Sequence, residues 1–266
     1  MIYLAIAISF LATISIYPFF IKYLKAKSAG VSTKWYERQE QNEKNGTPVM
    51  GGLVFLAVAL VVAIVLGLGT NTLTEMYPLI VATIGFGFIG LVDDIEKIIP
   101  DDASRNSFVL RFSDFFKKRA EKKGYDWGKG LTPPAKLTLQ ITFSAISAAL
   151  VLVYAPHSSF NLIFTLIYFA FSLVWILGFS NATNITDGLD GLLTSLSIFS
   201  FLAFVFVIAK SPDAQQHLGL MYFDLLLITS LLAFLFFNKP KAQIFMGDTG
   251  SLALGALLAV NSLVIQ

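Results

Sequence analysis

The stretch "MYPLIVATIGFGFIGLVDDIEKI", residues 76–98, decides how this chain is read. From Met76 to Val92 it is almost wholly apolar and long enough to cross the hydrocarbon of a bilayer as a helix. It then ends on two adjacent aspartates, Asp93 and Asp94, with Lys97 one turn further. Two readings compete. The plain one is that a membrane helix has surfaced and its first polar residues happen to be acidic; the chemical one is a metal or phosphate site at the membrane face.

Working outward, comparable apolar runs recur at about 2–21, 50–69, 135–155, 160–180, 191–209, 219–237 and 249–265, which with 76–92 makes eight. The chain is 56% hydrophobic and only 14% charged, with 25 Phe among 266 residues, whereas a soluble domain carries about 25% charge. Period-two alternation, which a barrel requires, is absent. The expected fold class is therefore all-α: a polytopic integral membrane protein with about eight transmembrane helices. The first run has no basic region before it, and Lys22, Lys25 and Lys27 follow it, so it reads as a retained span rather than a signal peptide. With no cysteine, disulfides and thiolate metal sites are excluded.

If the eight runs alternate across the bilayer, the loops at roughly 22–49, 93–134, 181–190 and 238–248 share one side. Counting Lys136 at a boundary, they hold eighteen of the 19 Lys and Arg residues; the opposite loops hold only Lys210. The positive-inside rule then places the N-terminus outside and the basic loops in the cytoplasm. Lys44, Asp93, Asp94, Lys97, Asn181, Asn184, Asp187, Asp190, Asn238 and Asp248 all fall on that same side or at its boundary. Carboxylates at membrane helices are expensive to bury and usually face a cavity or pathway, so a shared polar site at the cytoplasmic face is expected. His157 and His217 fall on the outer side, and Asp224, inside the seventh run, has no partner evident from the sequence.

In "NATNITDGLDGLL" (181–193), Asn181, Asn184, Asp187 and Asp190 recur every third residue. In a helix they form a slowly drifting polar ribbon; Gly188 and Gly191 favour an irregular backbone instead. Either way the segment offers oxygen ligands that suit Mg²⁺ or Mn²⁺, and amides that suit a sugar or base. The plainer alternative is a loop of turn residues with an Asp helix cap. In "NKPKAQIFMGDTGS" (238–251), Asp248 stands where the eighth run begins, and a helix start is a ready phosphate site. Phe245 is placed to stack on a base, unless it only anchors in the interface. "KNGTPVMGG" (44–52) combines Lys44 with three glycines but lacks the ending of a Walker loop. The Lys/Arg-rich stretch 111–123 reads as a solvated or lipid-surface segment.

Taken together, "GTPVMGG", "LVDD", "NATNITDGLDGL" and "FMGDTGSLALG", in this order, closely resemble the polyprenyl-phosphate N-acetylhexosamine-1-phosphate transferases. Within that superfamily the resemblance is strongest to the phospho-N-acetylmuramoyl-pentapeptide transferases. It covers nearly the whole chain, and "GLTPPAKLTLQ" (130–140) resembles the start of that family's fourth span. The resemblance implies a Mg²⁺-dependent enzyme of a bacterial cytoplasmic membrane, with Mn²⁺ as a substitute ion. Its substrates would be a UDP-linked muramoyl-pentapeptide and undecaprenyl phosphate, and its products lipid I and UMP. Carried over residue by residue, Asp248 would be the Mg²⁺ ligand, Asp93 and Asp94 the paired catalytic carboxylates, and Lys97 a phosphate holder. Phe245 would stack on uracil, with Lys44, Asp190 and Asn238 around the nucleoside, while Asn181, Asn184 and Asp187 would shape the pocket. Of the two aspartates, Asp93 is the better candidate base, though direct attack by the lipid phosphate is favoured. Nucleic acid is not an expected partner, and a homodimer stays open.

Three departures stand beside this match. The resemblance implies about ten spans and a histidine-rich cytoplasmic loop after the eighth, whereas this sequence ends at Gln266, eighteen residues past Asp248; the expectation is a fragment or truncated chain, poorly active as it stands, forming one transferase domain over 1–266. The loop 98–130 is longer than the family pattern and reads as an insertion. Val49 occupies a position where a hydroxyl residue is usual. A sibling transferase acting on UDP-N-acetylglucosamine or another UDP-hexosamine is the nearest alternative. An ion-coupled transporter is remoter, because transporters place such carboxylates near the bilayer midplane.

Overall fold

The computed structural model describes residues 1–26, 47–98, 111–115, 118, 130–154 and 161–265. Each of the eight apolar runs is a helix: α1 (Ile2–Ala26), α2 (Gly52–Thr70), α3 (Leu73–Ile98), α4 (Pro133–Tyr154), α5 (Leu162–Thr186), α6 (Leu192–Lys210), α7 (Leu218–Asn238) and α8 (Gly247–Val264). All eight are long and apolar enough to cross a membrane, and no strand occurs among the described residues. The all-helical, membrane-spanning class expected from the sequence is the one observed. Most of the segment 98–130, expected to be an insertion, lies outside the described residues; within it, Phe112 meets Phe88 of α3 edge-on at 5.7 Å.

Two helices run past their apolar stretches. α3 continues through Asp93, Asp94 and Lys97 to Ile98, so the aspartates sit on the last helical turns rather than in the loop that hydropathy assigned to them. α5 likewise continues to Thr186, carrying Asn181 and Asn184 on helix, while Asp187 closes it and Gly191 turns the chain with φ +72°. Both readings of "NATNITDGLDG" therefore apply, one to each half.

The organising element is α8. Every residue from Thr249 through Asn261 is buried, because α3 and α5 pack along the helix and α2, α4 and α6 also touch it. Its run of Gly, Ala and Ser permits this, since between lipid-embedded helices close backbone approach and van der Waals packing supply the cohesion. Gly90 of α3 marks the tightest crossing: a Cβ built there would lie 2.2 Å from the Asp248 carbonyl. Only glycine fits, and the crossing sets Asp93 and Asp94, one turn later, beside the first turn of α8. Toward lipid the surface is apolar, with Phe164, Phe199 and Phe206 largely exposed.

Asp224, for which the sequence suggested no partner, is fully buried in α7 and accepts a hydrogen bond from Asn261 Nδ2 at 2.9 Å. The amide lies 37 residues along the chain, on a helix that only folding brings alongside.

Candidate active site

Four elements converge where α8 begins: the end of α3, the start of α4, the end of α5 and the first turn of α8. Carboxylate oxygens of Asp93, Asp94 and Asp248 all lie within 4.8 Å of one another. Three anions so close repel strongly, and the structure shows what offsets this. Lys97 Nζ stands 2.5 Å from Asp93 Oδ2, 3.3 Å from Asp248 Oδ2 and 4.0 Å from Asp94 Oδ1. Lys136 Nζ of α4 contacts Asp248 Oδ2. Ion pairs at such depth hold only when further hydrogen bonds satisfy the remaining lone pairs, and those bonds are present.

The three aspartates differ in how they are held. Asp94 is 1% exposed and faces the start of α8, accepting from the N–H of Asp248 (3.0 Å), the N–H of Thr249 (2.9 Å) and the Thr249 hydroxyl (2.6 Å). The first N–H groups of a helix have no partner within it and form the positive end of its dipole. Asp94 thus caps α8 from another helix. Asp93 instead accepts from the Leu131 N–H at 2.8 Å through Oδ1, leaving Oδ2 to Lys97. Asp248 receives Asn184 Nδ2 at 3.0 Å on Oδ1 and both lysines on Oδ2, and Asn184 Nδ2 also reaches Ser251 Oγ at 2.8 Å.

Lys97 is the open member of the group, its side chain 42% exposed. The cluster sets three carboxylates against two ammonium groups, and the ligand atoms it offers are oxygens only. That donor set fits a hard divalent cation.

The other residues singled out in the sequence lie around this centre in different relations. Asn181 exchanges hydrogen bonds with Gln140 at 3.3 and 3.4 Å and donates to Leu177 O at 2.8 Å, tying α4 to α5. Asn238 is buried, accepting from Thr194 Oγ1 at 2.7 Å and donating to Ile244 O at 3.1 Å. Asp190 accepts from Ala242 N–H at 3.1 Å. Asn238 and Asp190 thereby fix the 239–246 loop on which Phe245 stands half-buried. Asp187 forms the C-terminal cap of α5, and Lys44 lies outside the described residues.

Lys136 is the site residue the sequence reading passed over as a candidate. The signal was present in "LTPPAKLTLQ", where Lys136 and Gln140 are one turn apart on the same helix face. Thr249 and Ser251 carried no such signal, being ordinary small residues of an apolar helix.

A bundle of membrane-crossing helices that gathers three carboxylates and two ammonium groups at one end is an integral membrane protein with a centre suited to bound anions and cations. The family model for glycosyl transferase family 4 matches residues 76–266. A phospho-N-acetylmuramoyl-pentapeptide-transferase of Staphylococcus carnosus is 33% identical over 276 aligned positions, covering 100% of this chain and 77% of that protein. Proteins of the same name from Staphylococcus saprophyticus and Limosilactobacillus reuteri are 34% and 35% identical, covering 100% and 99% of this chain and 77% and 74% of their own lengths. The chain belongs to glycosyl transferase family 4, as a membrane transferase similar to the phospho-N-acetylmuramoyl-pentapeptide-transferases.

Proposed function

We propose that this chain transfers phospho-N-acetylmuramoyl-pentapeptide from its UDP carrier to undecaprenyl phosphate, yielding lipid I and UMP, at the cytoplasmic face of a bacterial inner membrane. The observation that carries this reading is the convergence of Asp93, Asp248, Lys97 and Lys136 at the N-terminus of α8. The names of the relatives and the one-sided charge of the loops support it.

The reaction joins an oxygen of the acceptor phosphate to the sugar-bearing phosphorus and breaks that phosphorus's bond to UMP. Its difficulty is bringing two anionic phosphates together, so positioning and charge stabilisation carry the catalysis. Lys97, the more exposed of the two ammonium groups, receives phosphate oxygens, and Lys136 holds Asp248 in place through the same carboxylate oxygen. Phe245 stacks on the uracil, while Asp190 and Asn238 keep its loop in position; Lys44 serves the nucleoside side. Asp94 is committed to α8, which leaves Asp93 as the carboxylate able to take a proton if the acceptor arrives protonated. Asp248, with Asp93 beside it, would hold Mg²⁺ (or Mn²⁺ in its place), and the bound ion would offset the negative charge of the diphosphate and of departing UMP.

The test is incubation of the purified full-length enzyme in detergent with undecaprenyl phosphate, Mg²⁺ and each UDP-sugar in turn, with lipid products read by mass spectrometry. Lipid I from the muramoyl-pentapeptide donor is the expected result. Product only from UDP-N-acetylglucosamine would move the chain to a sibling activity, and no product or UMP exchange with any donor would overturn a transferase reading.

A further inference from the structure

The first span contributes no residue to the acidic cluster, yet one of its side chains reaches the loops beside it. Tyr17 of α1 is fully buried, its ring against Phe234 and Phe237 of α7 with centroids 5.3 and 5.2 Å away. Its hydroxyl donates to the Gly51 carbonyl at 2.8 Å. The other side of that residue is engaged as well, because Gly51 N–H donates to Phe245 O at 2.8 Å.

Two further backbone bonds extend the clasp: Gly52 N–H to Met246 O and Phe245 N–H to Pro48 O, both 2.8 Å. Residues 48–52 and 245–246 thus form a short pairing that fixes the backbone of Phe245 on both its N–H and its C=O. The pairing is tight and held under strain. A Cβ on Gly51 would lie 2.8 Å from Phe245 O, and Met50 takes a φ of +84°, a left-handed conformation costly for a side chain of this kind. Strained backbone persists where its surroundings over-determine it, and the Tyr17 hydroxyl is one of those surroundings.

We infer that Tyr17 is a positioning residue for the nucleotide side of the site: through Gly51 it holds the clasp that presents Phe245. This rests on the proposed role of Phe245 in stacking on uracil. Among the described residues Tyr17 meets Gly51, Phe234 and Phe237 rather than the three carboxylates, so its influence falls on donor binding rather than on the chemical step.

The test is Tyr17→Phe, which keeps the ring packing and removes only the hydroxyl. One lost buried hydrogen bond predicts a rise in KM for the UDP-linked donor of about five- to tenfold, with kcat unchanged and the thermal midpoint in detergent only slightly lowered. Amide hydrogen exchange, measured without substrate, should quicken at 48–52 and 245–246 but not along α8. Unchanged exchange at the clasp would overturn the inference, as would unchanged KM or a loss of kcat that tracks a lowered midpoint. Failure of the wild-type chain to use the donor would instead sink the proposed function, and the exchange measurement would still decide whether Tyr17 holds the clasp.

Discussion

The carboxylate of Asp94 accepts two hydrogen bonds from Thr249, one from the backbone N–H at 2.9 Å and one from the hydroxyl at 2.6 Å, across 155 positions of sequence. With the Asp248 N–H at 3.0 Å, this makes Asp94 the anchor between the end of α3 and the start of α8. The adjacent aspartates, indistinguishable by composition, therefore have different duties.

That difference predicts two separable phenotypes. Asp94→Asn replaces one acceptor oxygen by an amide facing N–H donors, and should cost about 2 kcal/mol of stability. Thermal unfolding in detergent should show a lowered midpoint together with reduced turnover. Asp93→Asn should reduce turnover with the midpoint nearly unchanged, and equal midpoint losses in the two variants would contradict the assignment.

Asp248 gathers both lysines and Asn184 on one carboxylate. Asp248→Asn is expected to abolish Mg²⁺-dependent turnover, a fall of about 10³-fold or more, with helical circular dichroism intact. Ordinary activity at ordinary Mg²⁺ would remove Asp248 from the ligand role.

Lys136→Gln removes one of the two ammonium groups from the cluster. Loss of one pre-placed charge should lower kcat/KM by about 10²-fold, and Lys136→Arg should recover only part of it, since the planar guanidinium does not reproduce a point charge. Steady-state kinetics on both variants checks this; full activity in Lys136→Gln would show the contact to be incidental.

Phe245→Ala should act on binding. Removing a stacked base contact of about 1–3 kcal/mol predicts a KM for the UDP donor raised roughly ten- to hundredfold with a smaller change in kcat. An unchanged KM would take Phe245 out of the nucleoside pocket.

Much of the architecture was legible before folding because bilayer solvation is written locally. An apolar run of sufficient length is a span wherever it lies, so all eight helices were countable. Their ends were less so. Hydropathy stops α3 at Val92 and α5 near Ser180, but the helices continue because Asp93, Lys97 and Asn184 find partners that make helical polar residues tolerable there. The site was legible as a set of residue types on one side. For Asn238, expected around the nucleoside, folding adds a scaffold role that spacing does not show: its carbonyl and amide groups are bonded to Thr194 and Ile244.

Residue types and spacing were enough to establish helix class, the number of spans, the one-sided charge and the segments that resemble a family of phosphosugar transferases, for each is a property of contiguous residues. Long-range contact divided the work among them. Gly90 matters because Asp248 crosses it at 2.2 Å from where a Cβ would be, and Lys136 matters because it touches Asp248, 112 positions away. Asp93 and Asp94 separate only because α8 begins beside one of them and Leu131 beside the other. Hydrogen bonds and ion pairs act over a few ångströms of space, so which polar group meets which is set by helix crossings, and those follow from packing the whole bundle around α8.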